Sequence, residues 1–212
     1  MARRQDQFEI EVIEGIDAVR LRPAMYLRSL GVDGIPSRLV LQALCHAVDE
    51  AVGGRCSRIA VELGADGTAA VAYDAGMPLC RASDGGMLAA EVLLSVLHAC
   101  RAEKHHVKVG DMVCNLGLAV LNALCESLTV ATVSEGWRCV LRYRKGKLVA
   151  PASLEATTGP DETAIELRLD AEILQGEVEL SRELMQGEIA TWRESMPEIP
   201  LVAIVDSKIR AS

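Results

Sequence analysis

Apolar and polar positions divide the chain into segments of two distinct periods. Val12, Ile13, Ile16, Val19 and Leu21 recur at roughly helical spacing over residues 10–21, and Pro23 ends that stretch. After a loop through Gly31, Gly34 and Pro36, the spacing predicts a helix over 38–52, with Ser37 as N-cap and Gly53-Gly54 as the stop. Residues 58–63 and 68–73 alternate like two strands joined at Asp66-Gly67, a hairpin signal. Asp74-Ala75-Gly76-Met77-Pro78 then breaks the pattern, and residues 86–102 and 112–126 read as two further long helices. Residues 127–134 and 137–144 alternate again around Glu135-Gly136, and a short strand at 147–150 follows Lys145-Gly146. A strand at 163–169, a helix at 174–193 and a last strand from Leu201 to Val205 complete the reading. Because the strands come mostly in hairpins, the expected fold is an α+β sandwich with helices on one face of a mixed sheet, not a doubly wound parallel fold.

Composition adds limits to this picture. Half of the 212 residues are hydrophobic but only 3% are aromatic, so Leu, Val, Ile and Ala must fill the core. The formal net charge of −8 excludes a uniformly basic nucleic-acid footprint. Arg138, Arg142, Arg144, Lys145 and Lys147 form a local basic run that reads as a solvated strand face ending in a turn. The seven cysteines form no CxxC pair, which argues against a zinc ribbon, and most sit in apolar segments as small hydrophobes. No apolar signal-peptide core follows the charged N-terminus, and no run is long enough to span a bilayer; the expected compartment is the cytoplasm.

Two places carry candidate chemistry. Arg38, Gln42, His46 and Asp49 fall on one stripe of the predicted helix 38–52, flanked by Glu50. That stripe suits either the solvent edge of an amphipathic helix or a row of groups facing a ligand cleft. The second place is Asp74 beside Gly76, where a strand ends and the backbone can approach a ligand closely; an ordinary Asp-Gly turn gives the same pattern.

These places sit inside a longer pattern. Ile13-Glu14-Gly15-Ile16-Asp17-Ala18-Val19-Arg20-Leu21-Arg22-Pro23-Ala24-Met25-Tyr26 resembles the opening of bacterial gyrase B and topoisomerase IV ATPase domains. His46-Ala47-Val48-Asp49-Glu50-Ala51, the stretch from Ala89 to Ala99, and Gly117-Leu118-Ala119-Val120-Leu121-Asn122-Ala123-Leu124 resemble three more of that family's segments. The resemblance implies a single domain over 1–212, a two-layer α/β sandwich of the GHKL (Bergerat) type, with ATP between the helices and a glycine-rich lid. It also implies that the transducer and DNA-cleavage regions of the intact family proteins are not part of this chain.

The departures from the family pattern gather at the chemistry. Gln42 stands where the family has a glutamate general base, and an amide cannot accept a proton from water at neutral pH. His46 stands where an asparagine oxygen binds magnesium, a hard cation that imidazole serves poorly. The family's lid glycines, whose amides cradle phosphates, are reduced to Gly117 in Asp111-Met112-Val113-Cys114-Asn115-Leu116-Gly117. By resemblance, Asp74, Gly76, Met77 and Thr163 match the adenine side, and Asp49 and Glu50 are retained. Helix 38–52 is expected to line the pocket with Gln42, His46 and Asp49, bordered by 86–102 and 105–117, with His98 packing.

The expectation is a protein without intact catalytic groups or a metal site, and with no cofactor, unless the site still takes ATP and Mg²⁺. It would act as a pseudo-ATPase through a protein partner, either a type II topoisomerase subunit or a second copy of itself. DNA would enter only indirectly, and a membrane not at all. The alternatives are a divergent ATP-hydrolysing topoisomerase domain, with Asp49 or Glu50 replacing the base, or a cleft repurposed for an uncharged ring compound through Gln42, His46, Asp74, Met77 and Cys114.

Overall fold

The computed structural model describes residues 15–81, 86–102 and 105–207. Val12, Ile13 and Glu14 of the opening pattern lie outside the described residues. The helices are α1 (Gly15–Leu21), α2 (Pro23–Leu27), α3 (Ile35–Leu41), α4 (Cys45–Val52), α5 (Ala89–Ser95), α6 (Ala99–Ala102), α7 (Val107–Met112), α8 (Leu118–Ala123) and α9 (Arg182–Ser195). The strands are β1 (Ile59–Leu63), β2 (Thr68–Tyr73), β3 (Cys125–Ser134), β4 (Trp137–Arg144), β5 (Lys147–Leu148), β6 (Leu154–Ala156), β7 (Glu162–Leu169) and β8 (Val202–Asp206).

The strands form one open mixed sheet in the order β5-β4-β3-β7-β2-β1-β8, with β6 also on β4. Among the described strands only β8 on β1 is parallel, and the other pairings are antiparallel. Alternation in the sequence becomes alternation in burial, as in β7, where Thr163, Ile165, Leu167 and Leu169 point inward and Glu162, Ala164, Glu166 and Arg168 outward. The inward residues share one core with Leu39, Val40, Leu44, Val48, Leu94 and Leu121 of the helices, giving an α+β sandwich with its helices on one sheet face. At Asp66-Gly67, Glu135-Gly136 and Lys145-Gly146 both residues have positive φ, the turn whose twist suits a tight hairpin.

Several boundaries differ from expectation. The first long helix begins at Ile35, with Pro36 in its first turn, and tightens to a 3-10 turn at Gln42–Leu44 before continuing as α4. Ser37 is therefore not its N-cap. It is buried, and its hydroxyl accepts the Ser181 N–H at 2.8 Å, while Ser181 caps α9 by accepting the Leu184 N–H at 3.2 Å. That cap places the start of α9 eight residues after the expected 174. The expected helix 86–102 is two pieces, broken where Val96 is extended and His98 has φ 65°. The apolar spacing is the same on both sides, so periodicity could not reveal the break. His98 is exposed rather than packed. The expected helix 112–126 shrinks to α8, because residues 113–117, after the end of α7, are not helical and Cys125 already belongs to β3.

Arg20, from the opening motif, anchors this layer. It donates to the Ala123 carbonyl and to Asp170 Oδ2, both at 2.7 Å, joining α1 to the end of α8 and to the residue after β7. Burial alone would raise the Asp170 pKa, but the Arg20 hydrogen bond and charge, with backbone N–H donors, hold it below the ordinary value. Arg138, Arg142 and Arg144 lie on the outward side of β4, and Arg144 and Lys145 pair with Glu126, the arrangement of a solvated strand face. Among the described residues no helix is long and apolar enough to cross a membrane.

Candidate functional site

The first long helix places its polar stripe inside the protein. Gln42, His46 and Asp49 are 2%, 6% and 2% exposed, so they are not the solvent edge of an amphipathic helix. Each buried polar group then needs a partner.

Gln42 finds its partners in the lid segment. Its Oε1 accepts the Leu116 N–H at 3.0 Å and the Gly117 N–H at 3.1 Å, at the entrance to α8. Two successive backbone amides are thus directed at a neutral carboxamide. Gln42 lines a separate cavity of about 300 Å³ with Ser29, Arg38, Met112, Asn115 and Trp192, and not the main cleft where it was expected. Asp111, the first residue of the 111–117 run, is exposed and accepts from Arg101 at 2.7 Å.

On the helix side the main cleft holds about 660 Å³ and is lined by His46, Asp49 and Glu50 of α4, Ala75 to Pro78 except Met77, and Ala89, Val92 and Leu93 of α5, while a larger hollow of about 1010 Å³ lies over Ser57, Arg58, Asp74, Ala131 and Leu201. His105 and the turn at Ser134-Glu135 close it. Asp49 Oδ2 accepts the His105 N–H at 3.1 Å, and its Oδ1 takes the His106 N–H at 3.2 Å and His106 Nδ1 at 3.1 Å. Asp49 therefore docks the segment before α7 onto α4. Ligand atoms of Asp49, Glu50 and His105 lie within 4.8 Å of one another. Glu50 is bidentate to Arg55 at 2.6 and 3.1 Å. Burial opposes its charge, but the Arg55 hydrogen bond and the charges of His46 and Arg55 hold its pKa below the ordinary value.

His46 Nδ1 lies 3.2 Å from the Tyr73 hydroxyl, with the two rings 5.7 Å apart at 40°. Burial pushes the Tyr73 phenol well above its ordinary pKa, so it stays a hydroxyl. Tyr73 pairs in register with Thr163, and Thr163 with Thr132, so three hydroxyl residues cross β2, β7 and β3 on the helix-facing side. Thr163 donates to the Ala75 carbonyl at 2.7 Å, Thr132 accepts the Met77 N–H at 2.9 Å, and the two threonine oxygens are 2.9 Å apart. Together they fasten the 75–77 loop to the sheet. Gly76 sits so close to the Val133 carbonyl and Ser134 that any Cβ there would overlap them. Met77 is fully buried in the core beneath the loop, not at the cleft surface.

Asp74 points elsewhere. One residue beyond Tyr73, it falls on the opposite side of the strand. Its Oδ1 accepts the Ser57 and Arg58 N–H groups at 2.8 Å, and its Oδ2 accepts the Ser57 hydroxyl at 2.6 Å and Arg58 Nε at 3.3 Å. Burial works against the charge, but the Ser57 hydroxyl and the two backbone amides hold the carboxyl well below the usual carboxylate range. Asp74 does not line the main cleft, and neither does Cys114. Of the five residues expected to line a repurposed cleft, only His46 does so. Motif reading missed Tyr73 and Thr132, which hold His46 and the 75–77 loop; the alternation of β2 and β3 is the signal that puts both on the helix side.

A helical layer carrying a buried polar stripe above a mixed sheet, with a lid entering a helix beside it, defines a GHKL ATPase-type sandwich. Curated relatives agree. The chain is 34% identical over 163 residues to the DNA gyrase B protein of Thermotoga maritima, covering 76% of this chain and 26% of the relative. It is 32% identical over 172 residues to the DNA gyrase B protein of Clostridium acetobutylicum, covering 80% and 27%. With that of Synechocystis sp. it shares 33% over 178 residues, covering 81% and 16%. No family model matches the chain. These similarities are those of a GHKL ATPase-type domain of the DNA gyrase B family, and the chain spans about a quarter of the length of the first two relatives.

Proposed function

We propose that this gyrase B-like domain is a pseudo-ATPase that acts by binding a protein, either a type II topoisomerase subunit or a second copy of itself. The observation that carries the reading is the Gln42 carboxamide accepting the Leu116 and Gly117 amides. Donors at this point of the lid are the ones a phosphate would require, and here they already have an internal acceptor. The position of the family's general base is the same residue, which costs a positioned base worth about 10²–10⁴-fold in rate.

Other groups support the reading. A magnesium ion needs oxygen ligands, but His46 offers imidazole, and its Nδ1 faces Tyr73. Asp49 is engaged by His105 and His106, and Asp74 by the 57–58 turn, so neither carboxylate reaches out to a nucleotide. Asp49, Glu50, Glu135 and Asp161 outnumber Arg55 and Arg81 along the cleft, a sign of charge that repels a polyphosphate. The residues present do not fit a magnesium–triphosphate pair, and no hydrolytic step is assigned to them. DNA then enters only through the partner. The open edge at β8 leaves Leu201 and Val205 78% and 51% exposed, apolar surface of the kind a protein partner covers.

The test is radiolabelled-phosphate release by the full chain, alone and with DNA and a gyrase. No release above background is expected. Turnover at the rate of an active family member would overturn the proposal in favour of a divergent ATPase.

A further inference from the structure

Three of the seven cysteines converge, although the sequence separates them widely. Cys45 lies at the start of α4, Cys100 on α6, and Cys114 in the lid segment before α8. Their sulfurs all lie within 4.8 Å of one another, and those of Cys100 and Cys114 are 3.4 Å apart. That separation is a contact, well beyond the ~2.05 Å of a disulfide bond. All three are buried, at 0%, 2% and 1% exposure. A thiol used only as a small hydrophobe needs no thiol neighbour. Here three come from three different segments and meet at one point.

We propose that Cys45, Cys100 and Cys114 form a binding site for one soft metal cation, monovalent copper. Metal–sulfur bonds of ~2.3 Å put three sulfurs around a trigonal ion roughly 4.0 Å apart. The observed 3.4 Å contact and the 4.8 Å outer limit of the cluster bracket that spacing. Among the described residues no fourth Cys, His, Asp or Glu joins the cluster. Cys45 Sγ has two carbonyl-type oxygens beside it, Val113 O at 3.7 Å and Gln42 Oε1 at 3.8 Å, and the second already accepts two amides. Structural zinc takes four ligands, whereas soft thiolates in a three-sulfur set select Cu(I). Binding is an exchange without electron transfer: each ligating sulfur gives up its proton to solvent and donates a lone pair to the ion. The site joins α4, which carries the cleft residues, to the lid two residues before Leu116. An occupied site pins the lid onto the helix beside the Gln42 hydrogen bonds.

The experiment is an anaerobic titration of the reduced full chain with Cu(I) alone, read by the ultraviolet thiolate-to-copper charge-transfer band. One equivalent per chain is expected, with the band lost in Cys45→Ala, Cys100→Ala and Cys114→Ala and kept in Cys56→Ala and Cys80→Ala. No band in the native chain, or a band unchanged in the three cluster variants, overturns the proposal. Copper X-ray absorption on the native chain decides the matter even if a variant fails to fold. Three sulfur neighbours at one distance are expected, and two or fewer would refute a three-thiolate site.

Discussion

Replacing Gln42 with leucine isolates the hydrogen bonds that hold the lid. Leucine keeps the volume, so the packing term is small, under about 1.5 kcal/mol. What disappears is the acceptor for the Leu116 and Gly117 amides, at 3.0 and 3.1 Å. Each hydrogen bond is worth about 1 kcal/mol net, and a buried donor left without an acceptor costs about 1–3 kcal/mol. Leu116 is only partly buried, so water can reach its amide, whereas Gly117 is buried and its amide stays orphaned. Gly117 therefore carries most of an expected loss of about 2–4 kcal/mol. Gln42→Glu keeps an acceptor oxygen and is expected to stay within about 1 kcal/mol of the native protein. Urea unfolding gives the stability, and amide hydrogen exchange at Leu116 and Gly117 gives the local effect. An opening free energy lower by about 2 kcal/mol speeds exchange there roughly 30-fold. A leucine variant with a native urea midpoint and slow exchange at both amides would show that Gln42 does not hold the lid.

Three further outcomes follow from the same geometry. Asp49→Ala removes the acceptor for His105 and His106 and is expected to cost about 2 kcal/mol, since those amides can return to water; thermal unfolding with exchange at 105–106 measures it, and an unchanged melting point would contradict the docking role. Asp170 has a folded pKa below its unfolded value, so the Arg20 pair stabilises the protein fully above about pH 4 and the effect disappears as pH falls through the folded pKa. The stability gap between the native chain and Asp170→Asn should accordingly close between about pH 4 and more acid conditions, and a gap independent of pH would refute the assignment. Gln42→Glu combined with His46→Asn restores the family residues at both positions, yet it is expected to release no phosphate, because the carboxylate still accepts the lid amides and the 111–116 segment still lacks glycines. Turnover by that variant would show that base and metal ligand alone were limiting.

Local signals carried much of the fold. The hairpin turns at Asp66-Gly67, Glu135-Gly136 and Lys145-Gly146 each state their geometry in two residues. The predicted strand 137–144 has the bounds of β4, with turns at Glu135-Gly136 and Lys145-Gly146 marking both ends. Apolar runs told less: the break at Val96 to His98 and the short α8 keep the spacing of a longer helix. In the candidate site, motif comparison marked Gln42 and His46 as departures but could not supply their partners. Gln42 meets lid amides 74 and 75 residues away, and such a contact leaves no periodic trace. Motif matching placed Asp74 without regard to the strand before it, in which Tyr73 is buried on the helix side and Asp74, one residue on, turns to Ser57 and Arg58. The cysteine cluster escaped notice because only the folded chain brings α4, α6 and the lid together.

Whether the cleft accepts a metal–nucleotide pair is decided most directly by calorimetric titration of the full chain with a non-hydrolysable ATP analogue and magnesium. With lid amides, imidazole and carboxylates all engaged within the protein, no saturable heat is expected with or without the metal. Tight binding that requires magnesium would mean that these internal contacts give way to ligand, and the pseudo-ATPase account would be wrong.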